Sequence, residues 1–91
     1  MADRKLGLLL STPPSHPSVE TVLELARAAL RRGIEVYLYL IDEGVRTATD
    51  RRYLGLIDAG VKMSVCAYGC QRHGVPTVVV DSRASLSGLV V

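Results

Sequence analysis

The residues of this chain best suited to chemistry lie in one stretch, Gly60–Val75 (GVKMSVCAYGCQRHGV), which holds both cysteines and one of the two histidines. Cys66 ends a short apolar run and opens a segment with helical character. A thiol at a strand-to-helix junction sits near the positive end of the helix dipole, which favours the thiolate, the form that attacks or carries sulfur. The plainer alternative is a buried cysteine that packs like a small hydrophobe. Cys70 follows one helical turn later on the same face. It could resolve a disulfide with Cys66 or point into the core; the C-x3-C spacing is not the C-x-x-C redox motif. Cys66, Cys70 and His73 fall at i, i+4 and i+7, and with His16 they could form a Cys2His2 metal site. One helix supplying three ligands matches no standard zinc spacing, so no metal or cofactor is assigned. His73 precedes Gly74, where a basic residue also simply suits a helix C-terminus.

His16 lies in Ser11–Ser18 (STPPSHPS), whose prolines exclude a helix. A loop before a helix N-terminus can hold an anion, but this one lacks the glycines of a dinucleotide or P-loop cradle. His16 remains an auxiliary candidate beside Cys66. Asp42 and Glu43 could act as acid or base, or could be a solvated strand end. No Gly-x-Ser-x-Gly, His-Glu-x-x-His or EF-hand pattern occurs.

The elements that must position these residues alternate. Lys5–Leu10 reads as a strand buried on both faces. From about Pro17 to Arg32, Val19, Val22, Leu23, Ala26, Ala29 and Leu30 make one helical face, with glutamates early, arginines late and Gly33 as the C-cap. Ile34–Ile41 is a β-branched and aromatic strand. Thr47 or Thr49 can cap a second helix running to about Ala59, with Tyr53, Leu54, Ile57 and Leu56 inward. Val61–Val65 is the third strand and Cys66–His73 a short helix. Pro76–Val80 is the fourth strand, and Asp81 or Ser82 caps a last helical piece through Gly88. Leu89–Val91 is expected to pair with the sheet or with another subunit. This alternation implies a parallel sheet with right-handed crossovers, whose functional loops gather beyond the strands' carboxyl ends. Cys66, Cys70, His16, Asp42 and Glu43 then share one rim.

The composition bounds the function. The chain has 91 residues, enough for one domain with a modest core. A net charge of +2 with scattered arginines and no Phe or Trp argues against direct nucleic-acid binding. No apolar run approaches a membrane span. The apolar run near the N-terminus is too short for a signal-peptide core and Pro-rich sequence follows it, so the expected location is the cytoplasm, with reduced thiols.

With these residues in place the chain resembles the DsrE/DsrF-like (DsrEFH) family, which includes the TusD-type sulfur-relay subunits. The likeness covers most of the chain. It is carried by LARAALRRGIEVYLYLIDEGV, a helix, a glycine, a strand and a Gly-Val turn, and by DAGVKMSVCAYGCQRHGV, a strand, a cysteine, a short helix and a basic residue before Gly-Val. Cys66 falls where TusD-like proteins carry their sulfur-accepting cysteine; Cys70 has no counterpart there. The resemblance implies a single DsrE-like domain over residues 1–91 and a three-layer α/β/α sandwich. Its parallel sheet has four to five strands in the order 4-3-2-1-5, with Leu86–Val91 at most a stub of the fifth. It implies a trimer or hexamer, and persulfide carriage on Cys66. A rhodanese- or TusA-like partner would supply or accept the sulfur, with no cofactor. The alternative is a passive DsrE-like subunit that serves as a binding or assembly module.

Overall fold

The computed structural model describes residues 4–87. Four strands, β1 (Lys5–Leu10), β2 (Glu35–Leu40), β3 (Lys62–Cys66) and β4 (Ser85–Ser87), form one sheet in the order β1-β2-β3-β4. All three pairings are parallel. Read from the other edge the order agrees with the expected 3-2-1, but the strand beside β3 is Ser85–Ser87, so Leu86, expected in a fifth-strand stub beside β1, lies opposite Val65 instead. The class is the expected one, a parallel α/β sheet flanked by helices. The proposed pairing of Leu89–Val91 lies outside the described residues.

The helices are α1 (Ser18–Arg31), α2 (Arg51–Asp58) and α3 (Ala67–Arg72). Val19, Val22, Leu23, Ala26 and Ala29 are the buried face of α1, as its 3.6-residue period predicts. Gly33, at φ +73°, turns the chain out of that helix. Two consecutive right-handed crossovers in one direction along the sheet put α1 and α2 over the same face. Leu10, Val36, Leu38, Leu40, Met63 and Val65 form that face and are buried beneath them. Tyr53 locks the two helices: it is fully buried, and its hydroxyl donates to Val19 O at 2.7 Å. Burial pushes its phenol up to about 12.

Five local expectations differ from what is observed. Lys5–Leu10 is not buried on both faces; it alternates, and Leu9 is 57% exposed. Neither Thr47 nor Thr49 caps α2. Residues Asp42–Thr47 form a 3₁₀ segment, and the Thr47 hydroxyl is engaged within it, donating to Gly44 O at 2.7 Å. Asp50 takes the cap, accepting from Arg52 N at 2.8 Å. Of the residues expected inward on α2, Tyr53 and Leu56 are buried and Ile57 packs half-buried against the core, whereas Leu54 is half-buried away from it.

Pro76–Val80 is not a strand. Thr77–Val79 is a short 3₁₀ turn with Val78 89% exposed. The place beside β3 is taken by Ser85–Ser87 instead, with Ser64 opposite Ser85. Asp81 does cap, accepting from Arg83 N at 2.8 Å, but it closes a single turn that leads into β4 rather than a helix.

Candidate functional site

Because the strands are parallel, their carboxyl ends share one edge of the sheet. Leu10 is in register with Leu40, and Leu40 with Val65, so the residues that follow them are neighbours in space. The Asp42–Thr47 segment leaves β2 there and folds back over the end of β1. Gly44 makes this possible: a Cβ at that position would lie 2.0 Å from Leu10 O. Val45 fills the core below, fully buried.

Cys66 is the last residue of β3 and the N-cap of α3, with extended backbone (φ −71°, ψ 116°). Gly69 N–H donates to its Sγ at 3.4 Å. The sulfur thus has the role usually filled by a Ser or Asp oxygen, satisfying an amide that the first turn of a helix leaves unpaired. A negative sulfur would strengthen this hydrogen bond. Since α3 has only six residues, this local amide matters more than a summed dipole. Cys66 is 5% exposed.

Gly69 is also where α3 rests on the Asp42–Thr47 segment. A Cβ there would lie 2.9 Å from Val45 Cγ1 and 3.2 Å from Asp42 N. Cys70 points into the core, fully buried, and burial, with a smaller contribution from the charge of Cys66, pushes its thiol up. Both cysteines are free thiols.

His73 does more than end a helix. It is the C-cap of α3, its N–H donates to Gly69 O at 2.9 Å, and Gly74 at φ +70° completes the turn. Its ring also reaches across to Asp42. The Nε2–Oδ1 separation is 2.6 Å, with Nε2 the donor because a carboxylate can only accept. Asp42 stands at φ +48°, the left-handed region, which is uncommon for any residue other than glycine. Sequence reasoning placed Asp42 on the rim and read His73 as a helix-end residue, and did not pair them.

The other candidates are engaged elsewhere. His16 Nδ1 accepts from Ser18 N, the first residue of α1, at 3.0 Å. Glu43 pairs with Arg46 at 3.3 Å on the surface. Among the described residues no group of three His, Cys, Asp or Glu side chains is gathered to hold a metal ion. The Cys66–Cys70–His73–His16 metal site is therefore not assembled: Cys70 faces inward, His73 faces Asp42 and His16 faces α1. Gly69 is the residue that sequence reasoning passed over.

The model of the DsrE/DsrF-like family matches residues 4–90. The chain belongs to this family. Among solved structures it is similar to the ychN protein of E. coli, with a TM-score of 0.82 at 17% identity over 96% of this chain and 86% of that one. It is also similar to a conserved protein of unknown function from Bacteroides thetaiotaomicron, with a TM-score of 0.73 at 18% identity over 97% of this chain and 82% of that one. At these identities the likeness shows the fold. No curated protein matches the sequence. Members of the DsrE/DsrF-like family are generally associated with sulfur relay. Among the described residues no helix is long and apolar enough to cross a membrane.

Proposed function

We propose that this chain carries sulfane sulfur as a persulfide on Cys66. The observation that supports it is the placement of Cys66 Sγ at the head of α3, with Gly69 N–H directed at it. The Cys66 thiolate attacks the outer sulfur of a donor persulfide, R–S–SH. A new S–S bond forms to Cys66, the donor's S–S bond breaks, and the donor leaves as R–S⁻. Passing the sulfur to an acceptor thiolate is the same displacement in reverse, so no net oxidant or cofactor is consumed. The donor or acceptor is a protein of rhodanese or TusA type, and the carrier works as a homo-oligomer. Cys70 takes no part: burial holds it protonated, and a thiol is a poor nucleophile. His16 is set aside as an auxiliary for the reason given above.

The test is intact-mass analysis after incubation with a sulfane-sulfur donor. Wild type and Cys70→Ser should each gain one sulfur, and Cys66→Ser none. No adduct on wild type, or an equal adduct on Cys66→Ser, would overturn the reading. A second reading, a passive subunit valued for assembly, is favoured by the 5% exposure of Cys66. It expects Cys66→Ser to leave partner complexes and cellular role intact.

A further inference from the structure

Cys66 is almost wholly covered, whereas a displacement at sulfur needs an in-line approach to it. The first turn of α3 lies against the sulfur, with Gly69 N–H directed at it, so the seating of α3 bears on access to the thiol. A six-residue helix has no stability of its own, so its position is set by what it touches. Cys70 anchors it in the core, and two contacts join it to the Asp42–Thr47 segment on either side of that anchor. One is the seat of Gly69 on Val45 and the Asp42 backbone. The other is the His73–Asp42 contact at the far end of the helix. The second is polar and lies at the surface, with the Asp42 side chain 59% exposed and that of His73 20% exposed. It can open without exposing core. Asp42 further sits in a strained backbone conformation, which persists only where surrounding contacts hold it.

We propose that Asp42 and His73 are positioning residues that latch α3 closed over Cys66, and that release of this latch admits sulfur donors and acceptors to the thiol. Its biological meaning rests on Cys66 being the sulfur carrier; its physical content does not.

The experiment measures Cys66 alkylation by iodoacetamide at fixed pH, by peptide mass spectrometry, alongside amide hydrogen exchange of the whole chain. Asp42→Gly deletes the carboxylate without adding strain at the left-handed backbone, and His73→Ala deletes the other partner. Each should speed Cys66 alkylation and exchange of the α3 amides by roughly fivefold to tenfold, the factor for losing one hydrogen bond of ordinary strength. Exchange in α1 and β2 should stay unchanged. The double variant should be no faster than the faster single one. His73→Gln, which keeps a donor nitrogen at the same reach, should behave as wild type. Unchanged alkylation in Asp42→Gly and His73→Ala would overturn the latch. So would a rise matched by faster exchange in α1 and β2, which reports loosening of the whole fold. Loading the same variants from a sulfane-sulfur donor separates the two readings. Faster alkylation without any added sulfur keeps the latch and removes the sulfur-carrier function.

Discussion

Replacing Gly69 with Ala should destabilise the protein, although alanine is the better helix former. In a helix without obstruction, Gly→Ala gains roughly 0.5–1 kcal/mol, because the unfolded glycine has more conformational freedom to lose. At Gly69 the added Cβ would lie 2.9 Å from Val45 Cγ1, 3.2 Å from Asp42 N and 3.4 Å from Asp42 O. Val45 is fully buried and cannot swing outward, and the other two neighbours are backbone atoms of a residue already at φ +48°. Overpacking of this kind costs about 1–3 kcal/mol. At mid-range the cost exceeds the propensity gain by about 1 kcal/mol, a fall in Tm of roughly 4–8 °C for a domain of this size. Gly55 in α2 supplies the control, since a Cβ there has no neighbour within 4 Å. Gly55→Ala should raise Tm. Thermal melts of the two variants against wild type read the difference directly. If Gly69→Ala is neutral or stabilising, α3 does not rest on the Asp42–Thr47 segment as described, and the latch loses its second support.

Tyr53→Phe should cost about 1–2 kcal/mol in urea denaturation, because it leaves the Val19 carbonyl without its side-chain donor in a buried setting. Tyr53→Phe should leave Cys66 alkylation at the wild-type rate, because it acts at the α1–α2 contact. The Asp81 carboxyl is held down to about 2, from 3.8, first by the Arg83 side chain and then by the Arg83 backbone N–H. Its folded-state pKa is depressed, so its contribution to stability is complete above the unfolded value and is lost as pH falls toward 2. Urea midpoints of wild type and Asp81→Asn should therefore differ by a constant amount above about pH 4 and converge toward pH 2; a difference that persists unchanged at pH 2 would contradict this.

How much of this was legible in the sequence depends on the range of the interaction that decides each feature. The β-α alternation was legible because it is written locally. The spacing of Val19, Val22, Leu23, Ala26 and Ala29 admits only a helix facing a core, and Gly33 closes it at the expected place. The start of α2 was not, because three residues with capping side chains stand close together, and the choice fell to Asp50 once the Thr47 hydroxyl turned to Gly44 O. The last strand was misplaced because Thr77–Val80 has the stronger β-propensity. Propensity, though, reports fit to a half-buried surface, and the slot beside Ser64 went to the plainer Ser85–Ser87. At the site, Cys66 could be found from its junction alone. The Asp42–His73 pair could not be read from spacing, since its members are 31 residues apart. Its signal was topological: if β2 and β3 are parallel neighbours, the residue after β2 and the helix after β3 must meet. Gly69 carried a signal of a different kind. It stands inside a helix, at a position where no turn requires it, and a glycine that forgoes helix propensity there marks a backbone pressed against another. The same residue that lets α3 press against Val45 and Asp42 also directs its amide at the Cys66 sulfur, so what reads as a local weakness sits at both contacts of the site.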